Sequence, residues 1–323
     1  MAIPSSTYTE IVTTTIDNYR STLADNILNH NPLLERIKRK GNAEPVGGGV
    51  KILENLMYAE NSTLLWYSGL ETLSVVQSDV LSSANFDWKE MNTNVVISGL
   101  EKAQNSGTKE SMFNLLKSRI KVAEITMQNG IAAALFYSNT ENSGKSIGGL
   151  QHLVADLPTG STTIGGINQS SQTWWRNQYY DFSTESITAS ATTIQAAMNR
   201  NFINSTRGKD SIDIFVGDTT YFNYYLTSLQ SNQRFMGAEE AGAGFKALKF
   251  WGGAADVFFD SNCPASHMYG LNTDYIHYRP HTDFNFVTLD DKVSVNQDAT
   301  VVPMYWKGNM TVSNRSLQSV ICA

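Results

Sequence analysis

The sequence predicts an α+β protein built from long projecting elements that carry little core of their own. Three observations point there. A polar helical arm, residues 5–40, ends at a glycine run, Gly47-Gly48-Gly49. Roughly 50 residues of strand-forming sequence follow, and then one long helix over 108–137. A large irregular region of mixed helix and strand comes next, and the chain closes in strands. Arms and hairpins of this kind are stable when neighbouring copies supply the packing they lack. At 323 residues the chain exceeds the usual limit for a single core, so two or more substructures are expected.

Each element has its own justification. In the arm, Ile11, Ile16, Tyr19, Leu23, Ile27 and Leu34 repeat at helical spacing. Pro32, behind His30 and Asn31, divides it into two pieces. Leu33 and Leu34 close an apolar cluster suited to docking on another surface, or to the first helix of a globular domain. Residues 50–53, 64–67, 72–76 and 95–97 read as strands, with turns at Asn61-Ser62 and Gly69. Leu64, Leu65, Trp66 and Tyr67 stand in a row, and a solvated hairpin would expose half of them. A partner surface or burial within the chain would each resolve that.

The long helix places Met112, Leu115, Leu116, Ile120, Ala123, Met127, Ala134 and Leu135 on a 3.6 period, with Thr108 as N-cap. At 1.5 Å per residue it would measure about 45 Å. Gly130 inside it predicts a close neighbour or a bend. Residues 138–175 are loop-rich. Helices are expected over 188–206 and over 219–230, the latter capped by Asp218 or Thr219. Buried strands are expected over 212–217 and 254–259. Strands over 275–278, 285–289 and 301–312 complete the chain.

Composition narrows the function. Charged residues make up 17%, against about 25% in average globular proteins. Neutral polar groups replace them and lower the desolvation cost of subunit contacts. Net charge is −6, and no run of Lys and Arg forms a nucleic-acid footprint. The densest basic stretch, Arg36 to Lys40, ends a helix, where cations complement the dipole. Two cysteines, Cys263 and Cys322, exclude a disulfide framework and a Cys-based zinc cluster, and a reducing cytoplasm is the expected site of folding. The N-terminus reads as no signal peptide, and no apolar stretch is long enough to span a membrane. Sequons at Asn61, Asn204, Asn309 and Asn314 read as chance matches.

Motifs for chemistry are weak. Ser143-Gly144-Lys145-Ser146 resembles the end of a phosphate-binding loop, but Asn139 stands where the pattern needs glycine. A helix C-cap at Gly144 is the better reading. His277 and His281 are separated by Pro280, and Cys263 and His267 by Pro264, so neither pair makes a zinc site. His30 and His152 complete the five histidines. No G-x-S-x-G elbow occurs. Glu239-Glu240 and Asp290-Asp291 read as solvated turns. No catalytic, cofactor-binding or metal-binding residue is assigned. Trp174 and Trp175 point in different directions in any regular element. One packs inside while the other meets a partner or Arg176 in a cation–π contact, or both share one intrachain core.

Several segments, taken in order, resemble the major capsid proteins of tailed bacteriophages, the Hong Kong 97-like fold. Leu23-Ala24-Asp25-Asn26-Ile27 with Asn31-Pro32-Leu33-Leu34 looks like the N-terminal arm, and Leu65-Trp66-Tyr67-Ser68-Gly69 like the extended hairpin. Gly148-Gly149-Leu150, Gly165-Gly166-Ile167 and Trp174-Trp175-Arg176-Asn177 look like the start of the axial domain. Gly244-Phe245-Lys246-Ala247-Leu248 and Met268 to Thr273 resemble later landmarks. Trp306-Lys307-Gly308-Asn309-Met310 with Asn314-Arg315 resembles the terminal strand.

The resemblance implies an arm over 1–46, an extended loop over 47–92, and a peripheral domain over 84–146 with the spine helix at 108–137. An axial domain over 147–270 and peripheral C-terminal strands over 271–323 complete the subunit. It implies hexamers and pentamers of the chain, assembled in the host bacterial cytoplasm into the icosahedral shell of a virion, with no enzymatic activity and no cofactor. The implied partners are a separate scaffolding protein, a portal, a decoration protein and packaged double-stranded DNA, contacted non-specifically, with no membrane. Candidate intersubunit contacts are Leu33, Leu34, Leu65, Trp66, Tyr67, Trp174, Trp175 and Arg176. The covalent Lys–Asn bonds of some members do not carry over, since no motif identifies a pair. Competing expectations are an encapsulin-type compartment shell and a monomeric enzyme or sugar-binding protein, the latter prompted by Tyr179-Tyr180 and Tyr224-Tyr225.

Overall fold

The computed structural model describes residues 31–104, 109–229, 248–289, 292–293 and 297–323. The arm up to His30, the N-cap candidate Thr108, Glu239-Glu240, residues 244–247 and Asp290-Asp291 lie outside the described residues, as do the side chains of Met112, Leu115 and Leu116.

Helix α1 (Pro32–Arg39) begins where the sequence says it should. The Asn31 side chain accepts the Leu34 amide at 3.0 Å, and Pro32 takes the first helical position, where its missing N–H costs nothing. The same Asn31 donates to the Ala132 carbonyl at 3.3 Å. Strands β1 (Ile52–Met57) and β2 (Leu81–Phe86) form an antiparallel hairpin, with Ile52 opposite Phe86. The strands expected over 64–67 and 72–76 do not form. They lie in the stretch between β1 and β2, which has no strand. A strand needs a ladder partner, and none of the described strands faces them.

β3 (Lys89–Ser98) leads through α2 (Gly99–Gln104) into α3 (Lys109–Ala134). Its 26 residues span about 39 Å. Ala123, Met127 and Ile131 are buried along it. The close neighbour expected at Gly130 is absent from the described residues: a Cβ there would lie 3.5 Å from the Met91 sulfur, an ordinary contact. The end of α3 is closed by the returning chain, as Leu150 donates its amide to the Leu135 carbonyl at 2.6 Å. A Cβ on Gly149 would sit 2.4 Å from that oxygen, so only glycine lets the chain approach this closely. Gly144 is therefore not the cap of α3. It lies further on, in a turn where Asn142 and Ser143 also take positive φ.

Besides short helical turns, the chain continues through β4 (Thr163–Ile164), β5 (Ile167–Asn168), β6 (Gln178–Asp181), α4 (Ile194–Asn204), β7 (Ile214–Gly217) and α5 (Thr219–Ser228). Then come β8 (Leu248–Phe250), β9 (Ala255–Phe259), β10 (Met268–Leu271), β11 (Ile276–Pro280), β12 (Val287–Thr288), β13 (Lys292–Val293), β14 (Ala299–Val312) and β15 (Ser319–Cys322). Asp218 caps α5, accepting the Tyr221 amide at 2.8 Å.

Two sheets organise these elements. In the first, β14 is the axis: β3 pairs along one edge, from Ser98 opposite Ala299 to Lys89 opposite Gly308, while β11, β12 and β13 share the other. α3 packs on β3. In the second, the order is β6-β15-β10-β7-β9-β8, with parallel pairs β6/β15 and β7/β9. α4 and α5 close a core on it around Phe202, Phe215, Tyr221, Tyr225 and Phe250.

The two sheets are joined by the segment between β14 and β15, and Arg315 sits at that joint, fully buried. Its Nε donates to the Leu153 carbonyl at 2.6 Å and its Nη1 to the Trp175 carbonyl at 2.8 Å. Its Nη2 reaches the Gln169 and Asn177 side-chain oxygens at 3.1 and 2.8 Å. The guanidinium also lies 5.7 Å from the Trp175 ring centre. None of these partners is a carboxylate. Burial therefore pushes its pKa down to about 9, and it stays charged at neutral pH. Replacing Arg315 with Met should cost the unassembled subunit on the order of 3 kcal/mol or more, because several buried acceptors lose their donor together. Arg315→Lys should recover only part of this, since an ammonium cannot reproduce the fork. Urea denaturation measures both, and an unchanged midpoint for Arg315→Met would contradict the role given to the joint.

Candidate functional site

The feature that stands out is the β1–β2 hairpin, whose root packs into the chain's main core through Ile52, Leu56, Ala84 and Phe86 and whose tip is bare. On β1, residues 52, 54 and 56 point inward together. Ile52 and Leu56 are apolar, but Glu54 between them is a buried carboxylate. It accepts from Arg279 Nε at 2.9 Å and from the Thr311 hydroxyl at 2.7 Å. Arg279 also donates to Glu44 at 2.8 Å. Burial alone would favour neutral Arg279, but its bonds to Glu54 and Glu44 outweigh this and raise its pKa. Lys51 pairs with Asp87 at 3.2 Å, and the Trp88 indole donates to the Gly49 carbonyl at 2.9 Å. These contacts fix the root to the β14 sheet.

A second set fixes the hairpin to the segment after α3. Gly165 and Gly166, at φ 61° and 78°, make the two-residue turn between β4 and β5. Gly165 accepts the Asn85 amide at 2.8 Å, and a Cβ on Gly165 would lie 2.9 Å from that of Ala84. Trp174 stacks on Tyr58 with ring centres 5.3 Å apart.

Beyond Tyr58, whose amide donates to the Val80 carbonyl at 3.1 Å, apolar groups are left in solvent. Leu64 is 84% exposed, Trp66 99%, Leu70 105% and Val75 96%. Leu65 and Tyr67 are exposed as well. Fully burying one such side chain is worth about 1.5–3 kcal/mol, and a projecting cluster of them marks an interaction surface.

The candidate contact residues divide accordingly. Leu65, Trp66 and Tyr67 come together on the tip. Trp174 lies at the root. Leu33 and Trp175 are buried in the chain's own core, which takes them off the surface, and Leu34 packs half-buried against it. Trp175 donates its indole N–H to the Ile164 carbonyl at 3.0 Å. The arginine over its ring is Arg315. Arg176 instead ties down its own loop, donating to the Gln169 and Ser170 carbonyls at 2.8 and 2.7 Å. Sequence reasoning missed Glu54 and Arg279. The signal was there, as an acid in the inward phase of an alternating strand. Tyr180 and Tyr225, one from each tyrosine pair that prompted a sugar-binding surface, are buried in the second core. Among the described residues no three His, Cys, Asp or Glu side chains are placed to hold a metal, and no helix is long and apolar enough to cross a membrane.

No family model matches the chain, and no curated protein matches it. Solved structures do. The capsid asymmetric unit of cyanophage A-1(L) aligns with a TM-score of 0.70 at 14% identity, covering 94% of this chain and 95% of that one. The capsid of Myoviridae phage XM1 aligns at 0.57 and 12% identity, covering 95% and 97%. The holo-SrpI encapsulin complex of Synechococcus elongatus PCC 7942 aligns at 0.57 and 7% identity, covering 100% and 96%. The chain therefore has the Hong Kong 97-like capsid fold. If Glu54 is the main bolt of the hairpin, Glu54→Ala should speed amide exchange across β1 and β2 about tenfold or more, with α4 and α5 unchanged. Hydrogen exchange read by mass spectrometry checks this, and equal rates in both hairpin strands would refute it.

Proposed function

We propose that this chain is the major capsid protein of a tailed bacteriophage. Many copies, as hexamers and pentamers, close an icosahedral shell around the genome. The observation that carries the proposal is a firmly rooted hairpin with an apolar, solvent-exposed tip, on a fold shared with phage shells. An isolated subunit has no use for such a tip; a subunit with neighbours does. In this reading residues 1–46 are the arm, 47–92 the extended loop, 84–146 and 271–323 the peripheral domain, and 147–270 the axial domain. The role is mechanical rather than catalytic. The protein is a virion component assembled in the host cytoplasm. A separate scaffolding protein, a portal, a decoration protein and double-stranded DNA are its partners.

The encapsulin reading rests on the alignment to the SrpI shell. The higher TM-score of the cyanophage capsid and the phage-like motifs of the arm and hairpin favour the phage reading.

Electron microscopy of the purified chain, beside light scattering at two concentrations, tests the proposal. Shells, tubes or capsomer rings are expected, alone or with the scaffolding protein co-expressed. A 35.7 kDa monomer under every one of these conditions would overturn it. Replacing Trp66 and Tyr67 together with Ser should leave a soluble subunit and abolish or greatly reduce the particles. Particles formed normally by that variant would remove the hairpin tip from the interface.

A further inference from the structure

The sequence contains no cationic run long enough to grip nucleic acid, but the fold gathers cations from two distant segments at one corner. At the end of α1, partly buried Arg36 and exposed Lys40 are both engaged by carboxylates. Arg36 Nη1 lies 3.2 Å from Asp256, while Lys40 Nζ lies 3.3 Å from Asp213 and 2.9 Å from Asp274. Lys249 reaches Asp256 from the other side. Asp213, Asp256 and Asp274 are thus met by Arg36, Lys40 and Lys249. Lys38 and Arg39 are left facing solvent.

A second cationic pair is tied to the same place. Residues 207–210 form a tight turn, closed by reciprocal backbone bonds between Arg207 and Asp210 at 2.8 and 3.0 Å. Asp210 accepts from the Tyr275 hydroxyl at 2.9 Å. Tyr275 directly follows Asp274, the residue that holds Lys40. The consecutive pair Asp274-Tyr275 therefore links the end of α1 to the turn. Arg207 and Lys209 are exposed on either side of Gly208.

Both cationic pairs adjoin open backbone. Gly41 follows α1 at φ 80° and Gly208 tops the turn at φ 61°, and a Cβ on either would meet nothing within 4 Å. Among the described residues, Lys38, Arg39, Arg207 and Lys209 form no ion pair. The acids nearby are Glu35, exposed on α1, and Asp210 and Asp274, which are engaged as described. On a chain of net charge −6, Lys38, Arg39, Arg207 and Lys209 are all exposed at this corner, beside the exposed acids Glu35 and Asp274.

We infer that Lys38, Arg39, Arg207 and Lys209 form a contact site for the phosphate backbone of double-stranded DNA. The inference deepens the shell reading, in that it assigns the surface facing the packaged genome. Four cations on two short, separate segments can meet phosphates without reading bases, so binding is independent of sequence and depends steeply on salt. Such weak contact also suits a wall that must let the genome slide during filling and exit.

The test uses the full chain, wild type and with all four residues changed to Gln, on immobilised duplex DNA and on immobilised polyglutamate. Unassembled subunits and assembled particles are run separately. Wild type should be retained on DNA at low salt and elute early from polyglutamate. The four-Gln variant should lose most of that DNA retention, with an unchanged melting temperature. In solution, the slope of log K against log salt should fall in magnitude by up to about 3.6, at about 0.9 for each phosphate the variant no longer neutralises. Equal retention of variant and wild type on DNA would overturn the site. Equal retention of wild type on polyglutamate would assign the corner to an acidic polypeptide instead, and overturn the DNA reading. The comparison is made on unassembled subunits too. A failure to form shells therefore counts against the shell reading alone, whereas weaker DNA retention by the unassembled variant counts for the site.

Discussion

The arrangement of the subunit depends on one buried cation. Arg315 lies where the chain leaves the β14 sheet and enters the other sheet as β15, so its geometry sets how the two sheets meet. It is fully buried, and its hydrogen-bond partners are neutral. A buried charge without a counter-charge is expensive, and here four hydrogen bonds from the guanidinium offset that cost. Its acceptors come from residues 153, 169, 175 and 177, so the loop-rich stretch after α3 is organised around one guanidinium. That stretch holds the Gly165-Gly166 turn on which β2 rests and the Trp174 ring against Tyr58. The root of the hairpin thus inherits its position from Arg315 on one side and from Arg279 on the other.

Much of this was legible in the sequence, and the exceptions share a cause. The long helix, the buried strands at Ile214–Gly217 and Ala255–Phe259, the Asp218 cap and the terminal strands follow from periodicity and capping, which are local. The hairpin strands were displaced because the apolar run Leu64 to Tyr67 has the composition of a strand without a partner to pair with inside the chain. Composition cannot distinguish an apolar run that is buried at home from one that awaits burial elsewhere. Trp175 and Leu33 show the opposite case: both read as candidate contacts, and both are buried within the chain, as the alternative of an intrachain core for Trp175 allows. The Arg315 and Glu54 clusters were illegible because each charge is satisfied by residues far away in the chain. What sequence does show is the oddity of Glu54, a charge in the inward phase of β1. The glycines at 149 and 165 read as landmarks before any reason for them was visible. Each proves to be a point where backbone must approach backbone or side chain too closely for a Cβ.

In the proposed shell, the contrast between root and tip has an energetic consequence for assembly. Ordering the hairpin at its root is done within the subunit, by Glu54, Arg279, Thr311 and Trp174, so a neighbour meets a preorganised element. The tip offers Leu64, Trp66, Leu70 and Val75, at about 1.5–3 kcal/mol each if fully covered, or roughly 6–12 kcal/mol in gross. Association costs an estimated 4–15 kcal/mol in translational and rotational freedom alone. A single tip-to-neighbour contact is therefore close to break-even. That is the useful range for a large closed object. Contacts that were individually tight would trap misplaced subunits, whereas weak ones dissociate and try again. Stability then comes from multiplicity, because a subunit held by several neighbours gains each further contact without repeating the full cost of association. The low fraction of charged residues works in the same direction, since neutral polar surfaces can be covered and uncovered without the penalty of stranding a charge.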